Sequence, residues 1–166
     1  MERLWSPWRM DWIESDTPGQ DDCPFCITRE AARELPGLIV ATSDHCYATL
    51  NLYPYNGGHI MILPYRHVGD ITDFLPEEQA DMFANLQSGV TALRSAMSPN
   101  GFNIGLNLGS AAGAGVPDHF HFHIVPRWAG DTNFMPAIGQ TKVMPETLEQ
   151  TKSRIVAAWP RQRQEI

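Results

Sequence analysis

One run of five residues constrains this chain more than any other: His119-Phe120-His121-Phe122-His123 alternates imidazole and phenyl without a break. In an extended strand successive side chains point to opposite faces, so the three imidazoles share one face and Phe120, Phe122 and Ile124 share the other. The phenylalanines suit a core and the imidazoles a cleft. Same-face side chains of a strand lie roughly 7 Å apart. That is too far for all three to hold one small ion without bending, but it suits contacts spread along a substrate: one on a metal, the next attacking, the third on an adjacent phosphate.

His121, the middle member, is the expected nucleophile. Imidazole has an unperturbed pKa of about 6.5, so the neutral form that can attack phosphorus is abundant near pH 7. The ring nitrogen that does not attack must carry a proton held by an acceptor, either a backbone carbonyl or a neighbouring histidine. A phosphoramidate formed on His121 is labile enough to pass its group to water or another acceptor, which splits one difficult step into two. Just upstream, residues 109–117 are rich in glycine and alanine. Small residues such as Gly113 and Gly115 let backbone N–H groups approach phosphate oxygens. An ordinary hairpin loop reads the same way, and the histidines beside it favour the phosphate reading. Asn107 ends the preceding strand, where its amide could reach the same cleft.

The rest of the chain supplies a small sheet and three helices. β-type runs cover 38–42, 46–50, 59–63, 102–108 and 119–126, the first three as an antiparallel meander. Residues 27–35 suit a short helix ended by Pro36-Gly37. Pro76-Glu77-Glu78 opens a long helix, with Pro in the first turn and acids at the positive end of the dipole. Met82, Phe83, Leu86, Val90, Leu93 and Met97 give it one apolar face, and Ser98-Pro99-Asn100-Gly101 ends it. A last helix spans about 145–159. Trp5, Trp8 and Trp12 mark residues 1–22 as a packing arm. One domain is expected over 1–166, with 1–22 as the N-terminal arm, 23–135 as the core and 136–166 as a C-terminal extension.

Composition narrows the partners. The chain has 166 residues, 43% hydrophobic and 19% charged, with a net charge of -7. A surface this acidic does not suit general nucleic-acid binding, which needs clustered Lys and Arg. No apolar run is long enough to span a bilayer, and Met1-Glu2-Arg3-Leu4-Trp5 lacks the apolar core of a signal peptide. A cytoplasmic location is the expectation, with no nucleic-acid or membrane partner. Three cysteines do not make a disulfide framework. Cys23-Pro24-Phe25-Cys26 has the spacing of a zinc-binding pair, and His67 and His119 would complete a closed structural zinc site. The alternative is two thiols buried as small hydrophobes.

These residues together resemble the histidine triad (HIT) family, whose signature is His-φ-His-φ-His-φ-φ with φ apolar. His119-Phe120-His121-Phe122-His123-Ile124-Val125 fits it throughout. Pro54 and Pro64 bracket a second family segment, Pro-x-x-x-Gly-His-φ-φ-φ-φ-Pro, in which Gly58 and His59 fall. The resemblance covers roughly 23–135. Leu4-Trp5-Ser6-Pro7-Trp8-Arg9-Met10, Asn51-Leu52-Tyr53-Pro54-Tyr55-Asn56 and Pro126-Arg127-Trp128-Ala129-Gly130-Asp131 are more similar to the bacterial diadenosine tetraphosphate phosphorylase-like branch.

The resemblance implies an α+β, HIT-like fold with a central antiparallel sheet, one long and one C-terminal helix, and a homodimer. It implies a small-molecule nucleotide substrate of the dinucleoside polyphosphate type and nucleotidyl transfer to His121. His123 and His59 would contact phosphate or tune the nucleophile, Asn107 would sit beside the phosphates, and Asn51 would stand where an acidic residue often holds the ribose. Zinc-bearing members imply Cys23, Cys26, His67 and His119 as ligands. The chain departs from the pattern at Ala114 and Gly115, where many members carry Gln and Ser or Thr, and in an extra residue around Pro117-Asp118. A nucleoside phosphoramidase, or a nucleotide-binding interaction protein with little catalysis, are the alternatives.

Overall fold

The computed structural model describes residues 23–132, 135–139 and 143–160. The Trp-rich arm expected over 1–22 lies outside them. Five strands form one antiparallel sheet: β1 (Ile39–Thr42), β2 (Cys46–Leu50), β3 (Ile60–Pro64), β4 (Gly101–Gly105) and β5 (Phe122–Arg127). Their spatial order is β1-β2-β3-β5-β4. The helices are α1 (Arg29–Arg33), α2 (Pro76–Met97), α3 (Met135–Gly139) and α4 (Leu148–Ala158). The α+β architecture is the expected one, with one long helix and a C-terminal helix, plus the short α1 and α3.

Strand alternation sorts the core into two layers. Cys46, Ala48 and Leu50 of β2, Ile60 and Ile62 of β3 and Ile124 of β5 face one way and pack with Met82, Leu86 and Leu93 of α2 and Ile155 of α4. Tyr47, Met61 and Leu63 face the other way and pack with Ala32 of α1 and Ile39, joined by Phe25, Ile27, Leu35 and Tyr65. Both central strands are buried along their whole length for this reason. The long helix lies close to the sheet at Gly89, where a Cβ would come within 2.8 Å of Ile60 Cδ1 and Ile124 Cδ1.

The fifth strand is shorter than the alternation suggests. β5 begins at Phe122, so His119, Phe120 and His121 are not strand residues. Pairing of β3 with β5 runs Ile60↔Ile124, Met61↔His123, Ile62↔Phe122 and stops there. Continued in the same register it would set Phe120 against Pro64, which has no N–H to give a ladder. Phe120 N–H bonds the Val68 carbonyl instead, at 2.7 Å. Phe120 still reaches the α2-side core, and Phe122 packs against it, as the alternation requires. The register of β2 on β3 continues one step beyond the strands, with Asn51 N–H bonding the His59 carbonyl at 2.9 Å. Asn51 and His59 therefore face each other at the neck of the loop 52–58.

Candidate functional site

An open pocket of about 600 Å³ lies on the sheet face opposite α2. That size suits a small-molecule ligand. Its floor is Tyr47, Thr49 and Met61 from the sheet. Pro24, Phe25 and Ile27 form one wall, and Asn51, Leu52, Tyr53 and Tyr55 another. His121, His123, Gly115 and Val116 close the end. The three histidines are buried rather than open: His119 is 0% exposed, His121 6% and His123 9%. Their rings draw closer than a flat strand would allow, with the His121 and His123 centroids 4.9 Å apart.

Backbone groups fix the proton on each ring. His121 Nδ1 lies 2.8 Å from the His119 carbonyl, an acceptor, so Nδ1 carries the proton and Nε2 keeps its lone pair. Tyr55 N–H donates to His59 Nδ1 at 3.0 Å, so the proton of neutral His59 is on Nε2. His59 Nε2 then donates to His123 Nδ1 at 2.9 Å. A neutral His123 is left with its proton on Nε2. Neighbouring imidazoles thus offer opposite functions, a nucleophilic nitrogen on His121 and an N–H donor on His123. His59 is 0% exposed and does not line the pocket. Its ring reaches His123 rather than the pocket, so its contact is with the His123 imidazole.

A separate cluster gathers Cys23, Cys26, His67 and His119, with all four ligand atoms within 4.8 Å of one another. Cys23 Sγ is 3.4 Å and Cys26 Sγ 3.7 Å from His119 Nδ1, and Cys26 Sγ is 3.3 Å from His67 Nδ1. Tetrahedral zinc with usual Zn–S and Zn–N lengths sets sulfur and nitrogen roughly 3.6 Å apart, so the donor set fits. His119 Nε2 donates to the Pro64 carbonyl at 3.0 Å, which leaves Nδ1 free of its proton and aimed at the thiols. Burial, above all, pushes the His119 pKa down to about 4, keeping it neutral. The Cys26 thiol is pushed up to about 11, by desolvation first and then by Cys23. A divalent cation would offset the repulsion between two thiolates. These four residues would hold the metal, and its chemistry there is that of a structural crosslink.

Two features that sequence reasoning missed hold His67 in that cluster. Arg66 pairs with the Glu78 carboxylate through Nε at 2.8 Å and Nη2 at 2.6 Å, tying the loop after β3 to the start of α2. Gly69 sits where a Cβ would lie 3.0 Å from the Pro117 carbonyl oxygen and 3.1 Å from Asp118 Cα. Also unforeseen is a clamp on the loop that carries Tyr55. Asn56 Nδ2 donates to Asp131 at 2.8 Å, and Arg127 grips the same carboxylate with Nε at 2.6 Å and Nη2 at 2.8 Å. Arg127 holds the Asp131 carboxyl well below the usual carboxylate range. These clamp residues fall in the two segments that resemble the phosphorylase-like branch, but nothing in the sequence paired them.

The remaining expected residues divide. Asn51 lines the pocket, and its Oδ1 accepts from Tyr53 N–H at 2.9 Å, leaving the Nδ2 amine as its outward function. Gly115 lines the pocket, whereas Asn107 and Gly113 do not. Asn107 Nδ2 donates to the Gly113 carbonyl at 3.3 Å and so braces the small-residue loop. Ala114 is buried at 7% exposure.

The fold and the paired imidazoles agree with the comparisons with known proteins. The family model described as HIT domain matches residues 32–130. The chain belongs to the HIT family and is one of its enzymes. Within the family it falls in the branch of AP-4-A phosphorylase from Mycobacterium tuberculosis (strain ATCC 25618 / H37Rv), to which it is 39% identical, with 98% of this chain and 86% of the relative covered. A Zn-bound histidine triad family protein from Mycobacterium smegmatis is 27% identical with a TM-score of 0.63, covering 80% of this chain and 91% of that one. A hypothetical histidine triad nucleotide-binding protein from Sulfolobus tokodaii strain7 is 26% identical with a TM-score of 0.65, covering 82% and 91%.

Proposed function

We propose that the enzyme cleaves dinucleoside polyphosphates of the diadenosine tetraphosphate type through a nucleotidyl intermediate on His121. The observation that carries this reading is the 2.8 Å contact of His121 Nδ1 with the His119 carbonyl, which leaves Nε2 nucleophilic at the end of an apolar pocket. The base enters between Phe25, Ile27 and Met61, the ribose passes Asn51, and the α-phosphorus meets His121. Nε2 forms a bond to phosphorus as the bond to the bridging oxygen breaks, expelling the rest of the polyphosphate. The His119 carbonyl stabilises the imidazolium through Nδ1–H, and His123 Nε2–H donates to a phosphate oxygen. Attack by phosphate or water then breaks the P–N bond and restores His121. With Ala114 and Gly115 in place of polar side chains, the backbone amides of the loop that Asn107 braces hold the departing phosphates. The 39% identity to an AP-4-A phosphorylase supports phosphate as acceptor.

Three further elements belong to the same reading. Zinc occupies the Cys23, Cys26, His67 and His119 cluster as a structural ion. The chain works as a homodimer in the cytoplasm: β4 is an open sheet edge, Ile104 on it is 51% exposed, and Leu108 beyond it is 38% exposed. An apolar edge strand left bare invites pairing with a second copy. Incubation with diadenosine tetraphosphate, with and without phosphate, tests the reaction. ADP plus ATP only with phosphate identifies phosphorolysis, and AMP plus ATP without it identifies hydrolysis. Mass spectrometry of the quenched enzyme should find AMP on His121, and absence of turnover in both conditions rejects the reading.

A further inference from the structure

The metal cluster and the nucleotide pocket share a wall. Phe25 lies between Cys23 and Cys26, so chelation by both thiols fixes the backbone on either side of it. Its ring meets His119 of the cluster edge-on, with centroids 5.8 Å apart and planes at 81°. The same ring meets His121 with centroids 5.3 Å apart and planes at 59°. Its carbonyl accepts from the Tyr47 hydroxyl at 2.6 Å, which ties the loop to the pocket floor. Phe25 itself lines the pocket.

Aromatic contacts extend this into one continuous run. His67 packs on His119 at 5.3 Å, Phe25 follows, then His121, His123 and His59. Each ring has a neighbour about 5 to 6 Å away, the range in which edge-to-face and tilted pairs attract. Nδ1 of His121 is anchored on the His119 carbonyl. The rings of Phe25 on one side and His123 on the other pack against the same imidazole and restrict its rotation.

We infer that Phe25 is a positioning residue for His121 and for the bound nucleoside, and that the Cys23–Cys26 metal clip acts on the nucleotide site through this ring. The inference rests on the pocket's taking a nucleoside phosphate, as proposed above. Metal loss frees the Cys23–Cys26 loop, moves Phe25 off His121, and weakens nucleoside binding before it touches the His123–His59 pair on the far side.

The test uses the full chain, zinc-loaded and chelator-treated, in wild type and Phe25→Ala, with AMP as the probe. Affinity is read by calorimetric titration, and ring geometry by the His121 and His59 imidazole C–H resonances. Stripping zinc from the wild type should weaken AMP binding roughly tenfold, the size of one lost aromatic contact with its burial, and shift the His121 resonances while leaving His59 in place. Phe25→Ala with zinc retained should do the same, and stripping zinc from that variant should add little, because both changes act through one ring. An equal further loss on stripping the variant, or unmoved His121 resonances in both, overturns the inference. Should stripped protein unfold by circular dichroism, zinc-loaded Phe25→Leu decides: AMP affinity and His121 resonances unchanged from wild type overturn it, and both changed support it. None of these readouts needs turnover, so a protein that binds AMP but cleaves no dinucleotide defeats the proposed reaction and leaves this coupling standing.

Discussion

His121 and His123 lie two residues apart and present different nitrogens to the same pocket, because different backbone groups hold them. The His119 carbonyl takes the His121 Nδ1 proton. The Tyr55 amide, relayed through His59, puts the His123 proton on Nε2. On the proposed mechanism His121→Ala removes the covalent route, and it should lower kcat by about 10³-fold or more and abolish the nucleotidyl adduct in quenched mass spectra, with the unfolding midpoint near that of the wild type. Asn51 is a second residue whose function depends on a neighbour. Its Oδ1 already accepts from Tyr53 N–H, so in the proposed ribose contact it would offer the Nδ2 donor and at most one oxygen lone pair. Asn51→Asp keeps an oxygen for Tyr53 and adds one for a hydroxyl. It should raise the kcat/KM preference for ribose over 2′-deoxyribose dinucleotides roughly five- to tenfold, since a carboxylate holds a hydroxyl more strongly than an amide does. A ratio unchanged from wild type would remove Asn51 from ribose recognition.

At the scale of elements, the loops rather than the strands assemble the chemistry. The loop after β3 brings His67 to the Cys23, Cys26 and His119 cluster, held by Arg66 on Glu78 and by the close passage of Gly69 against Pro117 and Asp118. The neighbours of Gly69 are backbone atoms, which cannot swing aside as a side-chain tip can. Gly69→Ala should therefore displace His67 and lower zinc affinity about tenfold or more, measured by competition with a chromophoric chelator, with little change in far-UV circular dichroism. Unaltered affinity would show that His67 reaches the cluster without that close packing. α2 plays the opposite part. It packs on the α2-side core and none of its residues lines the pocket, so it stabilises the sheet that carries the site without entering it.

For the whole molecule, the division of the sheet into two faces separates stability from function. One face is sealed by α2 and α4, and the other carries the pocket, the metal cluster and α1. Among the described residues no helix is long and apolar enough to cross a membrane. The β4 edge, unpaired among the described residues, is the surface on which the dimer reading depends. Ile104→Lys should place a charge on each side of that junction, where like charges repel and an apolar contact is lost. Light scattering after size exclusion should then report a monomer for the variant and a dimer for the wild type. A variant that stays dimeric moves the interface elsewhere.

Alternation within 119–123, the Cys-x-x-Cys spacing and the apolar period of residues 82–97 are local patterns. They pointed to the histidine-bearing strand, the long helix and the family, while His59 came in with the family resemblance and His67 as a candidate to complete the zinc set, which the resemblance then implied. Local sequence could not stop β5 at Phe122, because the cause is Pro64, a residue of another strand that has no N–H to offer Phe120. Nor could it place Tyr55, Gly69 or the Asn56–Asp131–Arg127 clamp, whose partners lie far away in the chain. The histidine run by itself fixed which side chains share a face. The tertiary structure decided which nitrogen of each ring carries its proton, because that follows from the carbonyl, amide or neighbouring imidazole each ring meets.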